Sequence, residues 1–205
     1  MDNIRLNFIN RSNDINNSSI VIFQRNVAQE FGEIAVAWKV FKNCGVMENH
    51  PFEYSLDFGV TVADTYGNFS PMFPAAAGNT YDFVESGFGS VLQLSARKAA
   101  NPSEIEVRNL LRIGAIGVSC YRNMSLLAIR TKVAPGEKAY FEFELRIFIG
   151  LASEIEVGDI LNSDIISTIN TEINLLGITS ADIVLTGGGA GPNSAPFNFV
   201  LENVV

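Results

Sequence analysis

Between residues 138 and 150 the chain reads KAYFEFELRIFIG, and its apolar side chains fall on every second position. Phe141, Phe143, Leu145, Ile147 and Ile149 share one parity, and Tyr140, Glu142, Glu144 and Arg146 share the other. Successive side chains of an extended backbone point to opposite faces, so this spacing predicts a strand with one face buried and one wet. Similar runs recur at residues 4–8, 20–24, 34–41, 53–63, 81–85, 91–96, 104–110, 113–121, 126–133, 165–175, 183–186 and 197–202. Turn-forming residues separate them, among them Tyr66-Gly67-Asn68, Gly87-Phe88-Gly89, Asn101-Pro102 and Pro135-Gly136. No long stretch carries a 3.6-residue repeat. The fold expected is all-β: a single antiparallel β-sandwich over residues 1–205, jelly-roll-like, with about a dozen strands and few or no helices. Residues 28–33 and 155–161 are the two places where a single helical turn is expected. Trp38 shares parity with Val36 and Val40 and is expected in the core of a central strand.

Several function classes are disfavoured by composition. With 205 residues, 47% of them hydrophobic and 18% charged, the chain can bury a sizeable core and lacks the composition of a disordered protein. Its apolar runs are interrupted well short of the roughly 20 residues a membrane-spanning helix needs, so no transmembrane span is expected. A formal net charge of −8 provides no basic stripe for phosphates, and a nucleic acid is not an expected partner. The opening MDNIRLNFINRSND has no basic flank followed by an apolar core. The expectation is therefore a protein cytoplasmic as synthesised, or exported without a Sec-type signal peptide. Cys44 and Cys120 have neither C-x-x-C spacing nor enough partners for zinc, and are expected as free buried thiols.

The run TGGGAGPNS, residues 186–194, has the glycine density of a phosphate-binding loop. Such a loop also needs a lysine to neutralise the anion and a helix whose N-terminus points at it. No lysine follows Gly191 and strand-like runs flank the glycines on both sides, so a hairpin loop is expected. His50 is the one histidine; no G-x-S-x-G elbow accompanies it, and a surface or capping role is expected. Two histidines and a carboxylate cannot be assembled for a non-haem iron. No cofactor and no metal are expected. Carboxylates two apart on a strand share a face, so Glu104 with Glu106, Glu142 with Glu144, and Glu154 with Glu156 are candidate acid/base pairs of a glycoside hydrolase. The echo between SEIEVRNLL at 103–111 and SEIEVGDIL at 153–161 is read as two strands meeting the same local need.

Residues 17–26 (NSSIVIFQRN), 35–40 (AVAWKV) and 180–189 (SADIVLTGGG) resemble a group of little-characterised bacterial β-rich proteins, some of which carry an automatic label of aromatic ring-opening dioxygenase. The resemblance covers most of the chain, implies a β-rich fold and brings no site residues.

The stretch expected to work is 64–90, DTYGNFSPMFPAAAGNTYDFVESGFGS, where Tyr66, Phe69, Met72, Phe73, Tyr81, Phe83 and Phe88 lie among glycines and prolines. Aromatic side chains on loops either fold back as a plug or stand exposed for a partner. The expected function is that of a non-enzymatic structural or interaction protein. It would act by self-association, as a homo-oligomer or larger assembly, or by docking to a macromolecular or membrane surface. A carbohydrate- or lipid-binding module of lectin or cytolysin type is the alternative, and a hydrolase using the paired glutamates is a second.

Overall fold

The alternating runs form strands. A computed structural model describes residues 3–14, 18–28 and 34–205. In chain order the first strands are β1 (Ile4–Asn10), β2 (Ser19–Phe23), β3 (Ile34–Ala35), β4 (Lys39–Phe41), β5 (Asn49–Tyr54), β6 (Phe58–Ala63) and β7 (Phe73–Ala75). There follow β8 (Asn79–Ser86), β9 (Gly89–Lys98), β10 (Ile105–Asn109), β11 (Ile116–Arg122), β12 (Ser125–Val133) and β13 (Lys138–Phe141). The last are β14 (Arg146–Ala152), β15 (Thr171–Asn174), β16 (Ser180–Gly188) and β17 (Ala195–Glu202). Among the described residues one α-helix, α1 (Ser163–Thr168), and one 3₁₀ turn, Gly191–Asn193, complete the inventory. The protein is all-β.

The chain divides into two compact units. The first comprises Met1–Gln24, Ala37–Leu56 and Leu145–Val205, and holds the sheets β17-β16-β1-β5 and β15-β14-β2-β4. Phe8 of β1 stacks on Phe41 of β4 with ring centroids 5.8 Å apart, and the Gln24 amide nitrogen donates to the Tyr54 hydroxyl at 2.8 Å. Leu6, Ile22, Trp38, Ile147, Ile149 and Ile183 are buried around these contacts. The second unit comprises Arg25–Val36 and Asp57–Glu144, with sheets β13-β10-β8-β9 and β3-β12-β11-β6-β7. Its core includes Val60, Val62, Tyr81, Phe83, Val107, Val118, Leu127 and Phe141.

Most pairings are antiparallel, but β1 runs parallel to β16 and β10 parallel to β8. Parallel neighbours need a long connection: β9 intervenes between β8 and β10, and the chain from β2 to β15 between β1 and β16. Strands number seventeen among the described residues rather than about a dozen, because long apolar runs break. The run 138–150 ends as β13 in the second unit and restarts as β14 in the first. Within β14 four consecutive residues, Ile147 to Gly150, are buried, since Ile169 presses on the face its alternation would leave wet: a Cβ added at Gly150 would lie 2.5 Å from the Ile169 Cα.

Residues 165–175 form a helix end and a strand. The Asn162 side-chain oxygen accepts from the Ile165 N–H at 2.9 Å, an N-cap that starts α1, and β15 begins three residues after it ends. Residues 155–161 form a turn rather than the helical one expected, and of 28–33, residues 29–33 lie outside the described residues. Trp38 is fully buried but belongs to no strand; its ring meets those of Tyr54 and Phe52 edge-on at 5.8 and 6.3 Å. The two halves of the SEIEV echo differ: the first leads into β10, the second lies in the loop after β14.

Candidate functional site

Asp64 organises the start of the aromatic stretch. Its Oδ1 accepts from the Tyr66 N–H at 2.8 Å and the Asn68 N–H at 2.9 Å, and its Oδ2 accepts from the Asn68 side-chain amide at 2.8 Å. Gly67 closes the turn at φ +83°. The Asn68 side-chain bond, with backbone N–H groups behind it, holds the Asp64 carboxyl below the usual carboxylate range. This clasp fixes a tight loop with Tyr66 89% and Phe69 69% exposed.

The seven candidate side chains have different fates. Tyr81 and Phe83 are core residues of β8. The Tyr81 hydroxyl accepts from the Ala76 N–H at 2.9 Å, and its ring meets the half-buried Phe73 edge-on at 5.5 Å. Met72 is half-buried across Gly59, where an added Cβ would lie 2.9 Å from its sulfur. Phe88 stands fully exposed at the tip of the β8–β9 hairpin. Tyr66, Phe69 and Phe88 are thus the ones presented to solvent.

Met72 also borders a pocket of about 370 Å³ lined by Asp57, Phe58, Gly59, Pro74, Asn123 and Met124. Its Phe58 ring has the Arg122 guanidinium 4.4 Å from its centroid and lies nearly parallel to Phe143 at 5.9 Å. Asn123 and Met124 both take positive φ in the β11–β12 turn. A carboxylate and an amide at the margin of apolar walls suit a ligand with one polar end.

The glycine run serves chain crossing. Gly187, Gly188 and Gly189 take φ of +90°, +79° and +99°; a Cβ on Gly187 would fall on the Pro196 carbonyl, and one on Gly188 would lie 2.7 Å from the Phe197 ring. The Asn13 N–H donates to the Gly187 oxygen at 2.8 Å, and the Gly189 N–H donates back to the Asn13 oxygen at 2.9 Å. Of the residues lining the adjacent pocket of about 470 Å³, the charged one is Asp14, the wrong sign for a phosphate.

The glutamate pairs are dispersed among structural partners. Glu106 is buried in β10 and accepts from Lys138 Nζ at 2.6 Å and the Ala100 N–H at 2.8 Å, while Glu104 precedes the strand. Glu142 follows β13 and accepts from the Ser103 hydroxyl at 2.5 Å. Glu154 and Glu156 lie in a loop, where Glu156 pairs with Lys42. His50 sits in β5, half-buried, 5.4 Å from the Phe41 ring and 6.0 Å from the Phe8 ring. It packs as an aromatic rather than capping a turn. Cys44 and Cys120 are buried and free. Among the described residues, no three His, Cys, Asp or Glu side chains converge as a metal site, and no helix is long and apolar enough to cross a membrane.

One exposed element was not singled out by its sequence. Strand β9 is largely exposed along both faces, with Leu94 56% accessible. The run 91–96 is legible as a strand, but its place at a sheet edge depends on which strands pair elsewhere. No family model, no curated protein and no solved structure matches this chain.

Proposed function

We propose that the protein works through contact, associating with copies of itself or docking on a macromolecular surface, with Tyr66, Phe69 and Phe88 as contact residues. The observation that carries this reading is that three large aromatic side chains stand exposed on ordered turns. Burying an apolar side chain of this size contributes about 1.5–3 kcal/mol. A loop already fixed by Asp64 loses little further entropy when a partner covers it.

The test combines size-exclusion chromatography with light scattering, negative-stain microscopy, liposome flotation and a glycan array. Wild-type protein should show an assembly mass or retention on one surface, and a triple Tyr66→Ser, Phe69→Ser, Phe88→Ser variant should lose it while keeping its circular dichroism spectrum. A strict monomer at high concentration that binds neither surface overturns the reading. A glycan- or lipid-binding module is the second reading, favoured by the pocket between Phe58, Met72 and Met124. It predicts retention that Met124→Glu abolishes and that survives in the monomer.

A further inference from the structure

Four sheets present eight edge strands, and among the described residues seven carry features that stop a sheet from growing. Strands β3, β4, β7, β13 and β15 have only two to four residues. Pro51 and Pro74 lie within β5 and β7, and Pro196 stands at the start of β17, which ends on Glu202. Short edges, prolines and charges are the usual means of keeping sheets apart. Strand β9 is the exception: it runs for ten residues without proline and carries no charge before Arg97.

Backbone direction along β9 follows from its turn. Gly87-Phe88 joins β8 to β9 with Ser86 opposite Gly89, and the pair closing a two-residue hairpin is hydrogen-bonded. Bonded and non-bonded pairs alternate from there. Glu85 with Ser90, Phe83 with Leu92, and Tyr81 with Leu94 are therefore non-bonded pairs. Consistently, the Phe83 carbonyl accepts from the Leu110 N–H at 2.9 Å, on the far side of β8. The N–H and C=O groups of Ser90, Leu92 and Leu94 thus point along the free edge. Their side chains share the face of Tyr81 and Phe83, the face buried in β8, yet at Leu94 that face is open.

We propose that β9 is the seam at which two copies of this chain join, antiparallel about a two-fold axis, with Leu92 of each copy opposite Leu94 of the other. The inference rests on the self-association reading above. Outward-pointing residues must pair with outward-pointing residues, which limits the register to even positions facing even positions. Setting Leu92 against Leu94 keeps the central pairs clear of the irregularity that begins beyond Leu94. Four leucines then lie side by side, each copy covering the apolar surface the other exposes. Charge is arranged at the ends of the seam and not along it: Arg97 and Lys98 end β9, while the hairpin end carries Glu85, 55% exposed and 3.9 Å from Arg112. Antiparallel joining places Arg97 and Lys98 of each copy toward the Glu85 end of the other.

A site-specific cross-link tests the seam. In this register Gln93 faces Gln93 of the second copy in a non-bonded pair, with Cα atoms about 4.5 Å apart, within disulfide range. Oxidised Gln93→Cys should run as a covalent dimer on a non-reducing gel, whereas Ser90→Cys, which faces Ala96 of the second copy, should remain a monomer; the native thiols are buried. Leu94→Lys should convert the assembly to a lower mass by light scattering with an unchanged circular dichroism spectrum. Association that persists in Leu94→Lys, or a Gln93→Cys protein that does not cross-link, overturns the β9 seam and leaves the contact reading standing. A wild-type chain monomeric at every concentration removes self-association along with the seam.

Discussion

Glu106 is nine-tenths buried yet held as an ion. Burial opposes its charge, but the Lys138 ammonium, the Ala100 N–H and the Thr80 hydroxyl outweigh that opposition and hold the carboxyl below the usual glutamate range. A carboxyl whose folded pKa is depressed adds stability that is present above its unfolded value, about 4.3, and is lost as pH falls through the folded one. Glu106→Gln should therefore destabilise the protein by about 2 kcal/mol at pH 7, a figure kept modest because Lys138 is part-exposed. The gap between variant and wild type should narrow below pH 4 in urea titrations. The thiols offer a second test at this scale. Burial pushes Cys120 up to about 12, only partly relieved by the Arg122 charge and the Tyr121 N–H, and burial with the Glu48 charge pushes Cys44 up to about 11. Neither should react with a disulfide reagent at pH 8 in the folded state, and both should react fully in denaturant.

At the scale of elements, the glycine run makes a graded prediction. Gly188→Ala places a Cβ 2.7 Å from the Phe197 ring at φ +79° and should cost about 2–4 kcal/mol, combining left-handed strain with a clash. Gly191→Ala, at φ +64° with open space around it, should cost about 1 kcal/mol. Urea midpoints of the two variants measure the difference. Strand identity was legible wherever one face stays wet, as in β11, whose burial alternates along its whole length. It failed where packing covers both faces or where the chain changes unit. KAYFEFELRI alternates without a break from Lys138 to Ile147, yet nothing local marks Glu144–Leu145 as the passage between units. Helix α1 was read as strand because Ile165, Ile166 and Ile169 suggest β-propensity, while the Asn162 cap that starts it is a single residue. Of the aromatic stretch, Tyr66-Gly67-Asn68 and Gly87-Phe88-Gly89 announced turns, while the Asp64 clasp on the first was not read from the sequence. Tyr81 and Phe83 are buried because β8 lies between β9 and β10, a pairing that no local pattern encodes.

For the whole molecule, net charge opposes the contact that the exposed side chains favour. Each copy carries a formal −8, so two copies repel over a distance set by screening, about 30 Å at 0.01 M salt and about 8 Å at physiological ionic strength. The attractions proposed at the β9 ends, between Arg97 or Lys98 and Glu85, are exposed pairs worth about 0–1 kcal/mol each. Leucine burial at the seam does not depend on charge, and added salt, if anything, strengthens it. The long-range repulsion therefore decides the sign: raising NaCl from 0.01 to 0.15 M should tighten self-association by about 1–2 kcal/mol, roughly five- to thirtyfold in the dimerisation constant. Sedimentation equilibrium across that range measures it. Tightening that persists in Arg97→Ala, Lys98→Ala protein would fit an apolar seam opposed by global charge. Weakening with salt would mean that local ion pairs hold the copies together and that the leucine ladder along β9 contributes little.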